Sequence, residues 1–147
     1  HLDELVRLGR EIKWKLNSSP ESQSQADARL NGIYGTIFYD RLATTSTQLH
    51  QRNVAIYADG RVDRSPCGSG TAARIAQLAA SNELQEGMTL VHESIIGTRF
   101  EGRIADTYEE HSISGVIPEI TGNAWLMAES NFVLVPTDPL GSGFSLR

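Results

Sequence analysis

The chain has 147 residues, 39% of them hydrophobic and 21% charged, with a formal net charge of −5. That length supports one domain with a real core, and the acidic balance offers no basic face to nucleic acid or to an anionic membrane. The single cysteine excludes an internal disulfide and a Cys-x-x-Cys redox pair, no cysteine/histidine cluster has zinc spacing, and no apolar run is long enough to cross a membrane.

His1 to Asn17 has the period of an amphipathic helix, with Leu2, Leu5, Ile12 and Leu16, and Leu8 alongside, on one face. Asp3 and Glu4 fall in its first turn and Lys13 and Lys15 in its last, as the helix dipole prefers, and Trp14 reads as a packing residue. The start inside a helical pattern, with no initiator Met and no signal-peptide pattern, reads as a fragment of a cytoplasmic protein. Asn17 to Ala28 is polar and aperiodic, a surface loop. Gly32 to Tyr39 is rich in β-branched and aromatic residues and reads as a strand. Asp40 to Gln51, with its Thr44–Thr47 run, reads as a loop carrying a solvated His50. A second strand, Asn53 to Ala58, closes on the Asp59-Gly60 turn.

The chemistry concentrates in Asp63-Arg64-Ser65-Pro66-Cys67-Gly68-Ser69-Gly70-Thr71, which opens directly into an alanine-rich helix expected from Thr71 to Leu84. Gly68 and Gly70 let a ligand approach the backbone, and Ser69 or Thr71 offers a helix cap. A helix start of this kind is an anion site and favours a thiolate beside it. A thiol, an anion cradle and an acid at Asp63 together suit an α-amino acid: carboxylate on the helix, ammonium near Asp63, Cα–H under the sulfur. The competing reading is a small buried core cysteine. No Lys follows the glycines, so this is not a phosphate-binding P-loop.

Beyond the helix, strands are expected at Met88–Ile96, Arg99–Thr107, His111–Ile117, Asn123–Ala128 and Asn131–Val135. Gly97, Asp106–Glu110, Thr121-Gly122 and Glu129-Ser130 separate them. Short strands at regular spacing argue for a closed or strongly curved sheet around the alanine-rich helix. His92 and His111 have no acid or cysteine at ligand spacing and read as structural.

The stretch Arg52-Asn53-Val54 through Asp63–Thr71 resembles the second cysteine motif of the proline racemase family. The family includes proline racemases, 4-hydroxyproline 2-epimerases and trans-3-hydroxyproline dehydratases. The likeness continues through Ser94–Phe100, Pro118–Trp125, Asp138-Pro139-Leu140 and Gly143-Phe144, so it spans nearly the whole chain. The resemblance implies an α/β (α+β) chain forming one half of a diaminopimelate-epimerase-like fold, a curved, mostly antiparallel sheet wrapped around a central helix. Residues 1–122 would form the second lobe, and the strands of 123–147 would pack on a first lobe that the chain lacks.

It further implies a cofactor-independent racemase or epimerase with a proline or 4-hydroxyproline substrate and no metal. Cys67 would be one of two acid/bases, Gly68 and Ser69 would hold the carboxylate, Asp63 the ring nitrogen, and Tyr57 would line the ring pocket. Family members are about twice as long and carry the other cysteine in a Met-Cys-Gly-His-like motif absent here. Tyr57 stands where the family usually has Phe, and Ser69 where it more often has Thr. A cysteine at 67 favours epimerisation, since typical dehydratases of the family replace it, commonly by Thr. A trans-3-hydroxyproline dehydratase of the same family, a thiol hydrolase and a non-catalytic amino-acid-binding half are the other readings. The partner expected for the lone half is a second copy, as a homodimer, or the missing N-terminal half.

Overall fold

A computed structural model describes residues 1–24, 27–110 and 113–143. Helix α1 (Leu2–Asn17) leads through two single 3-10 turns into β1 (Gly35–Thr44), β2 (Gln48–Tyr57) and the short β3 (Arg61–Val62). Helix α2 (Gly68–Ala80) follows, then β4 (Thr89–Ser94), β5 (Arg99–Glu110) and β6 (Ile113–Thr121). The strands form one unclosed, curved sheet in the order β1-β2-β4-β5-β6, with β3 paired to β2. All pairings are antiparallel except β2 with β4, for which α2 is the crossover.

Period-two alternation in β2 divides its residues between two helices. Leu49 joins Ile75, Leu78, Leu84, Leu90 and Ile104 in the core under α2. Ile56, on the other face, packs against α1, where a Cβ on Gly9 would lie 2.9 Å from the Ile56 Cβ. Gly102 gives β5 the same closeness to α2, since its Cβ would meet the Ile75 Cδ1 at 2.6 Å. Leu84 is buried beyond the end of α2, its N–H and that of Glu83 both bonded to the Leu78 carbonyl.

Several expectations fail for physical reasons. The contact face of α1 is centred on Gly9, whereas Leu2, Ile12 and Leu16 of the leucine stripe are exposed. A glycine carries no hydrophobic signal, yet it sets the closest approach. Trp14 is exposed as well, with the Arg10 guanidinium over its ring. The threonine run is a tight hairpin turn in which Thr45 Oγ1 accepts from the Gln48 amide, so His50 lies inside β2 and is half-buried. No break occurs at Asp106–Glu110, because a register shift between Ile104 and Asp106 lets β5 continue. The segment 123–135 forms no strand and pairs with none, and its Trp125 and Phe132 are 75% and 92% exposed. His111 lies outside the described residues.

Gly9→Val should lower stability by about 1–3 kcal/mol through overpacking against Ile56. A thermal melt checks this, and an unchanged midpoint would mean that α1 is not seated on β2.

Candidate active site at the start of α2

The loop from β3 to α2 is held almost peptide by peptide. The Asp63 amide donates to the Ala55 carbonyl at 3.0 Å, and Asp63 Oδ1 accepts from the Ser65 amide at 2.8 Å. Ser65 Oγ accepts from the Cys67 amide at 3.1 Å. Three carbonyls are clamped by side chains from other elements: Arg64 by Thr98 Oγ1 at 2.9 Å, Pro66 by Asn53 Nδ2 at 2.9 Å, and Cys67 by Thr71 Oγ1 at 2.7 Å. Thr98 is itself bonded to Ser94 Oγ across the β4–β5 turn.

This clamping carries Cys67 into an unusual conformation. It occupies the N-cap position of α2 at φ 66° and ψ 113°, a region that costs a non-glycine residue about 1–3 kcal/mol. Neither expected side chain caps the helix. Thr71 Oγ1 turns back to the Cys67 carbonyl, and Ser69 Oγ lies 3.7 Å from the Cys67 sulfur. The amides of the first turn therefore carry no side-chain cap and face outward as donors.

A cavity of about 430 Å³ opens beside the sulfur. Its walls bring together Asp63, Cys67, Ser69 and Tyr57, with Ile37 of β1 opposite. Gly68 opens α2 beside these walls, and the position its Cβ would take has nothing within 4 Å. Gly70 keeps the passage clear, since a Cβ there would strike the Ile37 side chain and stand 3.2 Å from the Cys67 sulfur. The Tyr57 ring meets that of Tyr34 at 6.0 Å between centroids. A larger hollow of about 520 Å³ lies between α2 and the β5–β6 hairpin, but it is lined by Ala76, Ala79 and Ala80 with Tyr108 and Glu109, and it holds no nucleophile comparable to the thiol.

Sequence reasoning missed the layer beneath the loop. His92 is 1% exposed; its Nε2 lies 2.7 Å from Asn53 Nδ2 and its Nδ1 2.8 Å from Thr71 Oγ1. Asn53 Nδ2, which faces the Pro66 carbonyl as well, can only donate, so Nε2 accepts and Nδ1 carries the proton that Thr71 Oγ1 receives. Burial, aided by the Arg74 guanidinium on α2, pushes the His92 pKa down to about 4. On the opposite face Glu93 is buried against Arg52, Arg99 and His50. Its hydrogen bond to Arg52 is the largest influence holding its carboxyl below the ordinary range. The legible signal for this layer was the alternation of polar residues along two apolar strands, Gln51/Asn53 and His92/Ser94.

A family model described as proline racemase matches residues 1–145. The chain belongs to the proline racemase family. Within it, the chain is 44% identical over 138 residues to a trans-3-hydroxy-L-proline dehydratase from Bacillus cereus, covering 94% of this chain and 41% of that protein. A proline racemase from Clostridioides difficile is 36% identical over 143 residues, covering 97% and 42%. A crystal structure of a hydroxyproline epimerase from Agrobacterium vitis, with bound trans-4-OH-L-proline, superposes with a TM-score of 0.81 at 32% identity, covering 97% of this chain and 40% of that one. The chain thus spans about two fifths of the length of these proline racemase relatives. Among its described residues no helix is long and apolar enough to cross a membrane.

The buried histidine makes stability depend on pH. Its folded pKa of about 4 lies below the ordinary 6.5, so between these values the unfolded chain binds a proton that the folded chain refuses. Its contribution is fully present above pH 6.5 and is lost as the pH falls towards 4. Melting temperatures from pH 7 to 4 should fall less steeply for His92→Gln than for wild type. Parallel slopes would show that His92 is not the group responsible.

Proposed function

We propose that the protein containing this chain inverts the Cα of proline or a hydroxyproline without a cofactor, and that Cys67 is one of its two acid/bases. The supporting observation is the cysteine at the uncapped start of α2, sharing one cavity with Asp63, Ser69 and Tyr57. In this reading the Gly68 and Ser69 amides receive the substrate carboxylate and stabilise the charge that develops on it as the Cα proton leaves. Asp63 takes the ring ammonium, one of its oxygens already fixed by the Ser65 amide. Tyr57 borders the ring. The Cys67 thiolate removes the proton from one face, and a second acid on a companion lobe returns one to the other.

Elimination of water from trans-3-hydroxyproline is the second reading. It is favoured by the 44% identity to a relative named for that reaction. Both reactions begin with removal of the Cα proton, so one experiment separates them. The protein is incubated in D2O with proline, trans-4-hydroxyproline or trans-3-hydroxyproline and followed by NMR. Inversion with deuterium at Cα supports the first reading, and loss of the 3-hydroxyl the second. Cys67→Ser should lower inversion by about 10²–10⁴-fold, the range for a lost general acid/base, and elimination far less, since that reaction needs only one base. Inversion undiminished by the substitution would remove Cys67 from the chemistry.

We also infer that residues 123–143 dock on the companion lobe. Trp125, Leu126, Phe132, Val133 and Leu134 are each at least 74% exposed, and a patch of that size seeks cover. The 147-residue chain alone should therefore self-associate and show no turnover. Sedimentation of a stable monomer at micromolar concentration would count against this.

A further inference from the structure

We propose that Asn53, His92 and Thr71 form a directional hydrogen-bond relay that positions Cys67, with neutral His92 as its central member. The inference rests on the acid/base reading of Cys67 for its functional meaning, but the relay itself is a matter of geometry. Asn53 Nδ2 donates to the Pro66 carbonyl at 2.9 Å and to His92 Nε2 at 2.7 Å. His92 Nδ1–H then donates to Thr71 Oγ1 at 2.8 Å, and that hydroxyl donates to the Cys67 carbonyl at 2.7 Å. Each link fixes the direction of the next, because Asn53 Nδ2 has only protons to give and the Cys67 carbonyl only lone pairs. All three side chains are buried, at 3%, 1% and 0% exposure.

The relay ends on the two carbonyls on either side of the Cys67 Cα, the residue at φ 66°. A left-handed cysteine persists only if its surroundings over-determine it. With both carbonyls held from beneath, the sulfur is left at the mouth of the cavity beside Ser69 Oγ. A protonated His92 would aim a second N–H at the Asn53 amide and break the chain of donors. The charged groups around it oppose that state or stay remote from it. Arg74 on α2 disfavours the proton, while Glu93, next in β4, points to the opposite face, where Arg52, Arg99 and His50 neutralise it. These are positioning residues, since none reaches the cavity beside the sulfur.

The test, made on the full-length protein that contains both lobes, compares hydrogen exchange in peptides covering residues 63–70 with exchange in β5, alongside steady-state kinetics. Thr71→Val keeps the shape and removes the hydroxyl. It should raise exchange in the loop about tenfold, leave β5 unchanged, and lower kcat about tenfold with KM within twofold. Thr71→Ser should restore all three to within twofold of wild type. His92→Asn, which keeps an amide donor at the Nδ1 position but loses the acceptor for Asn53, should stay closer to wild type than His92→Gln, which reaches only towards Asn53 and should behave like Thr71→Val. This second pair decides the matter if Thr71→Val does not fold. Wild-type loop exchange in both Thr71→Val and His92→Gln would overturn the proposal, as would equal rises in loop and β5, which mark a general loss of core stability. If the full-length protein shows no turnover at all, the acid/base reading fails while the exchange data still decide the relay.

Discussion

The parallel pairing of β2 with β4 is the constraint on which the site depends. It sets Asn53 opposite Ser94 and Gln51 opposite His92, so that Asn53 and His92 are diagonal neighbours on the face that α2 covers. A parallel pair requires a crossover, and here the crossover is the β3 turn, the cysteine loop and α2. The helix must run back over the sheet, which brings its first turn to the end of β2 where Tyr57 stands. The uncapped first turn of α2 and the cavity beside Tyr57 are thus brought together by topology before any side chain is chosen. A crevice beyond the carboxyl ends of parallel strands is a recurrent place for ligands in α/β sheets, for the same reason.

Burying a polar layer between sheet and helix is costly unless its members are satisfied. Most of these are. Gln51 Oε1 accepts from Arg74 Nε, Gln77 Oε1 accepts from Arg74 Nη1, and the Arg74 guanidinium lies 3.9 Å from the centre of the Tyr39 ring. Among the described residues Arg74 Nη2 and Asn53 Oδ1 are the members of this layer left without a partner. Arg74 hydrogen-bonds neutral groups only, and its charge acts on His92 as well as on Glu83. Keeping that imidazole neutral preserves the acceptor that Asn53 needs. The arginine and the histidine are therefore parts of one device: the cation favours the protonation state that the hydrogen bonds require.

How much of this could be read from the residues depends on the range of each interaction. The loop at Cys67 and the helix behind it were legible because their signals are local, small and glycine residues followed by helix formers. The layer beneath was not, since the contact from Asn53 to His92 joins residues 39 apart. Local pattern also misjudged Thr44–Thr47, where the Thr45 side chain closes a hairpin on the local backbone and β1 and β2 run up to either side. In α1 the apolar stripe drew attention to leucines that stay exposed, while the contact is made by a residue with no side chain. The strands expected in 123–135 failed for a different reason. Their sequence suits a strand, but a strand also needs a ladder, and among the described residues none pairs with them.

The same limit applies to the chemistry. Inverting a carbon requires proton donors and acceptors on opposite faces, and one wall cannot supply both. Among the described residues the cavity walls hold one thiol, Cys67, and one carboxylate, Asp63. If Asp63 is the counter-ion of the ring nitrogen, the described cavity walls keep no second thiol or carboxylate for the opposite face. The proposed inversion therefore needs a group brought up from the far side, at a distance set by how the companion lobe seats on this one. Residues 123–143 supply a means, because a segment anchored through β6 here and packed there would tie the two walls together. In that arrangement the relay beneath Cys67 fixes one proton-transfer position within its own lobe, and the alignment of the second falls to the interface.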